Sequence, residues 1–190
     1  MEIVLSIFVG IGLAAAVGFR IFIPFLVVSV MAYTGNLQLS TYFEWIGSLP
    51  ALVMFGSATV VEILAYYIPW LDNILDTIEH PMAIIAGTIL TGAVIKDFPP
   101  LIKWALALIA GGGVAGIIHA ATGLIRLKSS ALTGGFGNPI VSTAEAGSAT
   151  ALSLIAIFIP AAAALIVGVM VVYFSIMIKK KFLSPPPEHE

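Results

Sequence analysis

Cysteine is absent from this chain of 190 residues. That excludes disulfides, thiolate nucleophiles and cysteine-ligated metals, and it leaves the redox compartment open. Charge is scarce too. Asp, Glu, Lys and Arg make up 9% of the residues, against about a quarter in a soluble domain. The formal net charge is -2, and no basic stripe runs along the sequence, so nucleic acid is not an expected partner. Histidine occurs only three times. HExxH is missing and no zinc-ligand spacing stands out. No cofactor is expected.

What fills the space is apolar. Hydrophobic residues account for 60% of the chain, and the mean hydropathy is +1.11. A water-soluble fold of this composition would expose large apolar patches and aggregate. In lipid the outer surface need not be polar, so the composition predicts an all-α polytopic membrane protein. Met1 to Val17 has Glu2 where a secretory signal carries Lys or Arg, and the apolar run continues past Arg20 to Met31. It is read as a retained first helix.

A crossing needs about 20 apolar residues. Ile3 to Tyr33 is long enough, as one tilted helix or as a helix broken between Gly18 and Pro24. Pro50 to Pro69 is a second span and carries Glu62. Trp70 to His80 reads as a short amphipathic helix at the membrane surface, with Asp72, Asp76 and Glu79 on its polar side. Pro81 to Ile95 is apolar but short for a crossing. Leu101 to Leu124 is the next span, and Gly111, Gly112 and Gly113 predict a kink within it. Ile125 to Pro139 is the least lipid-like internal stretch. Two final spans follow, divided at Pro160. The expectation is about six transmembrane helices, with five as the alternative, in one domain over residues 1–181. Residues 182–190, which include SPPPEHE, are expected to be a disordered cytoplasmic tail. Lys179, Lys180 and Lys181 set the C-terminus of this multi-pass protein in the cytoplasm. Six crossings bring the N-terminus to the same side; five reverse it.

GSATVVEILAYYIP (Gly56 to Pro69) and GSATALSLIAIFIP (Gly147 to Pro160) align without a gap. A weaker echo precedes each copy and ends at Arg20 and Arg126. The repeat suggests halves at 1–97 and 98–181. With three spans in each, the halves are inverted repeats with broken or re-entrant segments, a plan used by many secondary transporters.

Ionisable groups in hydrocarbon are costly and mark candidate sites. Glu62 sits mid-span, either as a proton or cation site or as a brace between helices. Asn138, Ser142 and Glu145 share one helical face and suit a cation or a polar solute; hydrogen bonding between helices is the plainer alternative. Arg20 and Arg126 occupy echoed positions and suit an anion or a lipid phosphate, unless they snorkel to the interface. The loop TGGFGNP offers the backbone of Gly134, Gly135 and Gly137 to an anion, or simply caps the helix that follows. His119 is a candidate proton relay or a hydrogen-bonded core histidine. Asp72, Asp76 and His80 are weak metal candidates on one amphipathic face.

Several of these motifs occur together. GFRIFIP at Gly18 to Pro24, Glu62, IPWLDNILD at Ile68 to Asp76, His80, His119 with Arg126, and GNPIVSTAE at Gly137 to Glu145 resemble the domain-of-unknown-function 4126 family of small bacterial integral membrane proteins. The resemblance runs from Gly12 to Leu165. It implies a multi-spanning membrane protein and no particular activity. The chain departs from the family at Thr122 and Ser129, where Lys and Asn are frequent, and this weakens an anion site.

The leading functional expectation is a small transporter or channel for an ion or polar solute, coupled to protons or cations through buried carboxylates. A membrane enzyme or lipid-handling protein that binds an anionic headgroup is the second, although no nucleophile–base pattern supports catalysis. A structural assembly partner is the third. Membrane lipids and a small ion or polar solute are the expected partners, and self-association stays open.

Overall fold

A computed structural model describes residues 2–183, without the side chains of 69, 70, 72–74, 76 and 181–183. Among the described residues the chain is a bundle of helices with no strand. Helix α1 is Glu2–Phe19, α2 Phe22–Tyr33, α3 Leu49–Ala65 and α4 Pro69–Val94. They are followed by α5 (Pro100–Leu106), α6 (Gly113–Thr133), α7 (Asn138–Phe158) and α8 (Pro160–Leu183). A 3₁₀ segment, Thr41–Gly47, precedes α3 at a bend of 66°. Five of the helical stretches are long and apolar enough to cross a membrane, or six if the bent pair counts as one span. The protein is a polytopic helical membrane protein.

Proline places the first break. A helix running through residue 24 would need the Pro24 N–H to bond the carbonyl of Arg20, and Pro24 has none, while its ring crowds that carbonyl. The chain stops being helical at Arg20 and starts again at Phe22. It turns back on itself there. Asn36 and Leu37, beyond the end of α2, line one groove with Glu2 and Ile3 at the start of α1. Only Ile159 separates α7 from α8. The expected breaks at Gly18 to Pro24 and at Pro160 are both present.

Small residues bring α1 into the centre. A Cβ on Gly12 would lie 2.6 Å from the Ala156 Cβ and 3.0 Å from the Ala163 Cβ. A Cβ on Gly18 would lie 2.8 Å from the Ala115 carbonyl oxygen. Thr91 of α4 donates to the Gly10 carbonyl at 3.0 Å. The anticipated kink in the glycine-rich span is a widened, π-type turn over Ala107–Gly112. Here Gly111 and Gly112 let this segment press against α4.

Three expectations need correction. Trp70 to His80 is not a separate surface helix, and Pro81 to Ile95 is not a short piece of its own. Both belong to α4, which runs through Pro81 for 26 residues. Membrane helices tolerate an internal proline because neighbouring groups can satisfy the carbonyl it frees. The stretch after Leu124 is also largely helical. α6 continues to Thr133, and Gly134 and Gly135 then end it with positive φ values of 62° and 92°. The expected tail falls mostly outside the described residues.

One end of the bundle gathers the start of α1, residues 35–38 and the end of α4 with Lys96 and Asp97. The other end holds the α3–α4 junction, tied to α7 by the Tyr67 and Thr143 hydroxyls at 2.9 Å, and the turn between α6 and α7. Helix α8 starts beside Gly12 and packs along α1 and α6 toward this second end. The described chain therefore begins and finishes at opposite ends. The five candidate spans, or six with the bent pair, include both numbers expected from the sequence.

Candidate buried charge cluster

The break at Arg20 creates the site. The first N–H groups of a helix lack partners within it. Glu62, near the C-terminal end of α3, takes two such donors: Ile21 N at 2.8 Å and Phe22 N at 3.3 Å. A carboxylate at a helix N-terminus is also stabilised by the helix dipole. Glu62 is 4% exposed.

Arg20 reaches across to α7. Its Nη2 donates to the Ser142 hydroxyl at 2.5 Å and lies 3.2 Å from Glu145 Oε2. Arg126, from α6, grips the same carboxylate with two donors: Nε bonds Oε1 at 3.0 Å, and Nη2 bonds Oε2. Glu145 is thus held between two guanidiniums. All three side chains are buried. The ring of Tyr66 completes the stack, with the guanidinium carbons of Arg20 and Arg126 lying 3.5 and 4.0 Å from its centre. Such cation–π contacts gain strength when water is excluded. The Tyr66 hydroxyl then donates to Glu79 Oε2 at 2.5 Å.

The family model described as Domain of unknown function (DUF4126) matches residues 7–180. The chain belongs to this family. Every residue of the cluster lies within the matched region of this DUF4126 member. No curated protein and no solved structure matches the chain.

Of the candidates read from the sequence, Arg20, Glu62, Arg126, Ser142 and Glu145 come together in one place. The shared face of Asn138, Ser142 and Glu145 on α7 is buried throughout. Asn138, however, turns its amide toward α6 and donates to Ser130 at 2.9 Å. His119 is buried and pairs with the ring of His80 at 5.6 Å between centroids. The two face a groove of about 280 Å³ that also includes Thr77 and Leu127. The loop at Gly134, Gly135 and Gly137 folds on itself: the Gly137 N–H goes to the Thr133 hydroxyl at 2.8 Å, and the Asn138 N–H to the Gly135 carbonyl at 3.1 Å. Its backbone acts as a helix cap. The side chains of Asp72 and Asp76 lie outside the described residues. Among the described residues no group of three His, Asp or Glu could hold a metal ion.

Sequence reasoning missed Tyr66 and Glu79. A signal for Glu79 was available: the 18-residue apolar window that qualifies α4 as a span starts at Thr77. That puts Glu79 within the apolar part of α4 rather than on a wet surface.

One feature separates this cluster from a simple brace. Among the described residues, Nε and Nη1 of Arg20 have no hydrogen-bond partner, although the side chain is 1% exposed. Unmet donors at that depth are costly.

Proposed function

We propose that this protein is a small transporter of the bacterial cytoplasmic membrane that moves an ion or small polar solute and couples that movement to protons through its buried carboxylates. The observation that carries the reading is the position of the charge cluster. It sits at the broken α1–α2 helix, where α3 and α7 meet it from opposite directions. Glu62 is beside Ile21 toward the end of α3, and Glu145 is beside Arg20 early in α7. These are the two helices that carry the GSAT copies. Secondary transporters place their sites at such broken helices between inverted halves.

The unmet Nε and Nη1 of Arg20 favour a cargo bearing oxygen acceptors. They also count against the purely structural reading, which calls for complete pairing. Lys128, beyond the buried part of α6, and the run Lys179 to Lys181 at the end of α8 favour the end where these helices finish as cytoplasmic.

The test is proton movement into liposomes that hold the purified protein, with trapped pyranine as the probe and an imposed pH gradient. Wild type is expected to dissipate the gradient faster than empty liposomes. Glu62→Gln should abolish the effect while eluting as a monodisperse species. Ser142→Ala, which removes one acceptor of Arg20 without changing charge, should slow it. Wild-type rates equal to those of empty liposomes, or equal rates in wild type and Glu62→Gln, would overturn the reading.

A further inference from the structure

We infer that Glu79 is the group through which the buried cluster takes up and releases its proton, reached through the groove beside His80 and His119. The inference rests on the transport reading for its purpose, but its chemistry can be measured on its own.

Among the described residues the cluster holds three carboxylates, Glu62, Glu79 and Glu145, and two guanidiniums, Arg20 and Arg126, all at most 8% exposed. Fully ionised, they leave one surplus negative charge away from water. Any further carboxylate reaching the guanidiniums would enlarge that surplus. An uncompensated buried charge is strongly unfavourable, and a carboxylate in that position takes up a proton.

The hydrogen bonds say which carboxylate it is. Glu145 lies between both guanidiniums, so a proton there would forfeit two ion pairs. Glu62 accepts a backbone N–H on each oxygen, and protonating either oxygen would weaken those bonds. Among the described residues Glu79 accepts one hydrogen bond, on Oε2 from Tyr66. Its other oxygen can carry the proton without displacing a donor. Arg20, Arg126 and Glu62 act on Glu79 through their charges, from the α1–α2 break, α6 and α3, and Tyr66 acts through its hydroxyl. On its own helix, the side chains of Asp72 and Asp76 lie outside the described residues.

Glu79 immediately precedes His80 on α4, and His80 and Thr77 line the groove that His119 also faces. The two imidazoles stand 5.6 Å apart, and imidazole can both accept and donate a proton. The step is a proton exchange: the Glu79 carboxyl loses H⁺ to an imidazole or to water in the groove and regains it when the cluster resets.

Infrared difference spectroscopy of the purified full-length protein, titrated with pH, reads this directly. Wild type should show the C=O stretch of a buried protonated carboxyl. Glu79→Gln should lose the band. Tyr66→Phe, which keeps the ring under both guanidiniums, should shift its frequency, because the hydroxyl partner is gone. No such band in wild type, or a band unmoved by both substitutions, would overturn the inference and place the balancing charge elsewhere, on His119 for example. The measurement needs no flux. A protein that shows the Glu79 band but moves no protons would refute the transport reading alone.

Discussion

Without its charge, Glu145 would leave Arg20 and Arg126 close together with no anion between them. Removing one partner of a buried ion pair costs about 3–5 kcal/mol, because the other charge stays behind. Glu145→Gln is therefore expected to lose about that much stability in reversible unfolding from detergent micelles. Glu44 lies in the 3₁₀ segment and is exposed; Glu44→Gln should stay within about 0.5 kcal/mol of wild type. A loss at Glu145 no larger than at Glu44 would mean that the two guanidiniums find other anions. The same residue shows what the sequence could not reveal. The sequence shows Glu145, Arg20 and Arg126 each in or beside an apolar run, but not that they pair with one another. Arg20 and Ser142 are 122 positions apart, and no local pattern encodes such a pairing. Glu79 was harder still. Its helical period grouped it with Asp72 and Asp76, a grouping that reads as a wet surface only if the helix lies in water.

Helix α1 packs through its glycines, and that yields a prediction about elements. An added methyl at Gly12 meets Ala156 and Ala163 in two different helices. Gly12→Ala should push α1 away from α7 and α8 and cost about 1–3 kcal/mol, the range for overpacking a filled interior. Gly168 has nothing within 4 Å of such a methyl, so Gly168→Ala should not lower the melting temperature. Equal melting temperatures for both variants would refute this packing. The helix breaks at Arg20 and Pro160 were legible because proline and glycine act on their own neighbours in sequence. Pro81 misled for the same reason. The local rule predicts an interruption there, and the surrounding bundle carries α4 through it. The glycine run at Gly111 to Gly113 was read correctly as a weak point, but the sequence did not name Gly87 and Thr91 as what presses against it.

At the scale of the whole molecule, the absence of cysteine makes the arrangement of ends directly testable. Asn36 is exposed at the end where α1 begins, and Phe136 is 89% exposed in the turn between α6 and α7. Asn36→Cys should react with a membrane-impermeant maleimide in intact cells, and Phe136→Cys only after the cells are opened. Labelling of both from the same side would refute the order of helices described above. The composition settled the solvent of this protein, and the repeat pointed to the two helices that approach the centre from opposite directions. The direction of α8 followed only from what it touches.

Helix α3 has 17 residues, about 25 Å of rise at 1.5 Å per residue, and it is short against a hydrocarbon core of about 30 Å. Its approach is bent, so the preceding segment adds little length along the same axis. Lipid beside α3 must draw in to match it, and a thinned bilayer drops the full membrane voltage over less distance. Any charge that forms or vanishes near Glu62 would then feel a steeper field than elsewhere in the bundle.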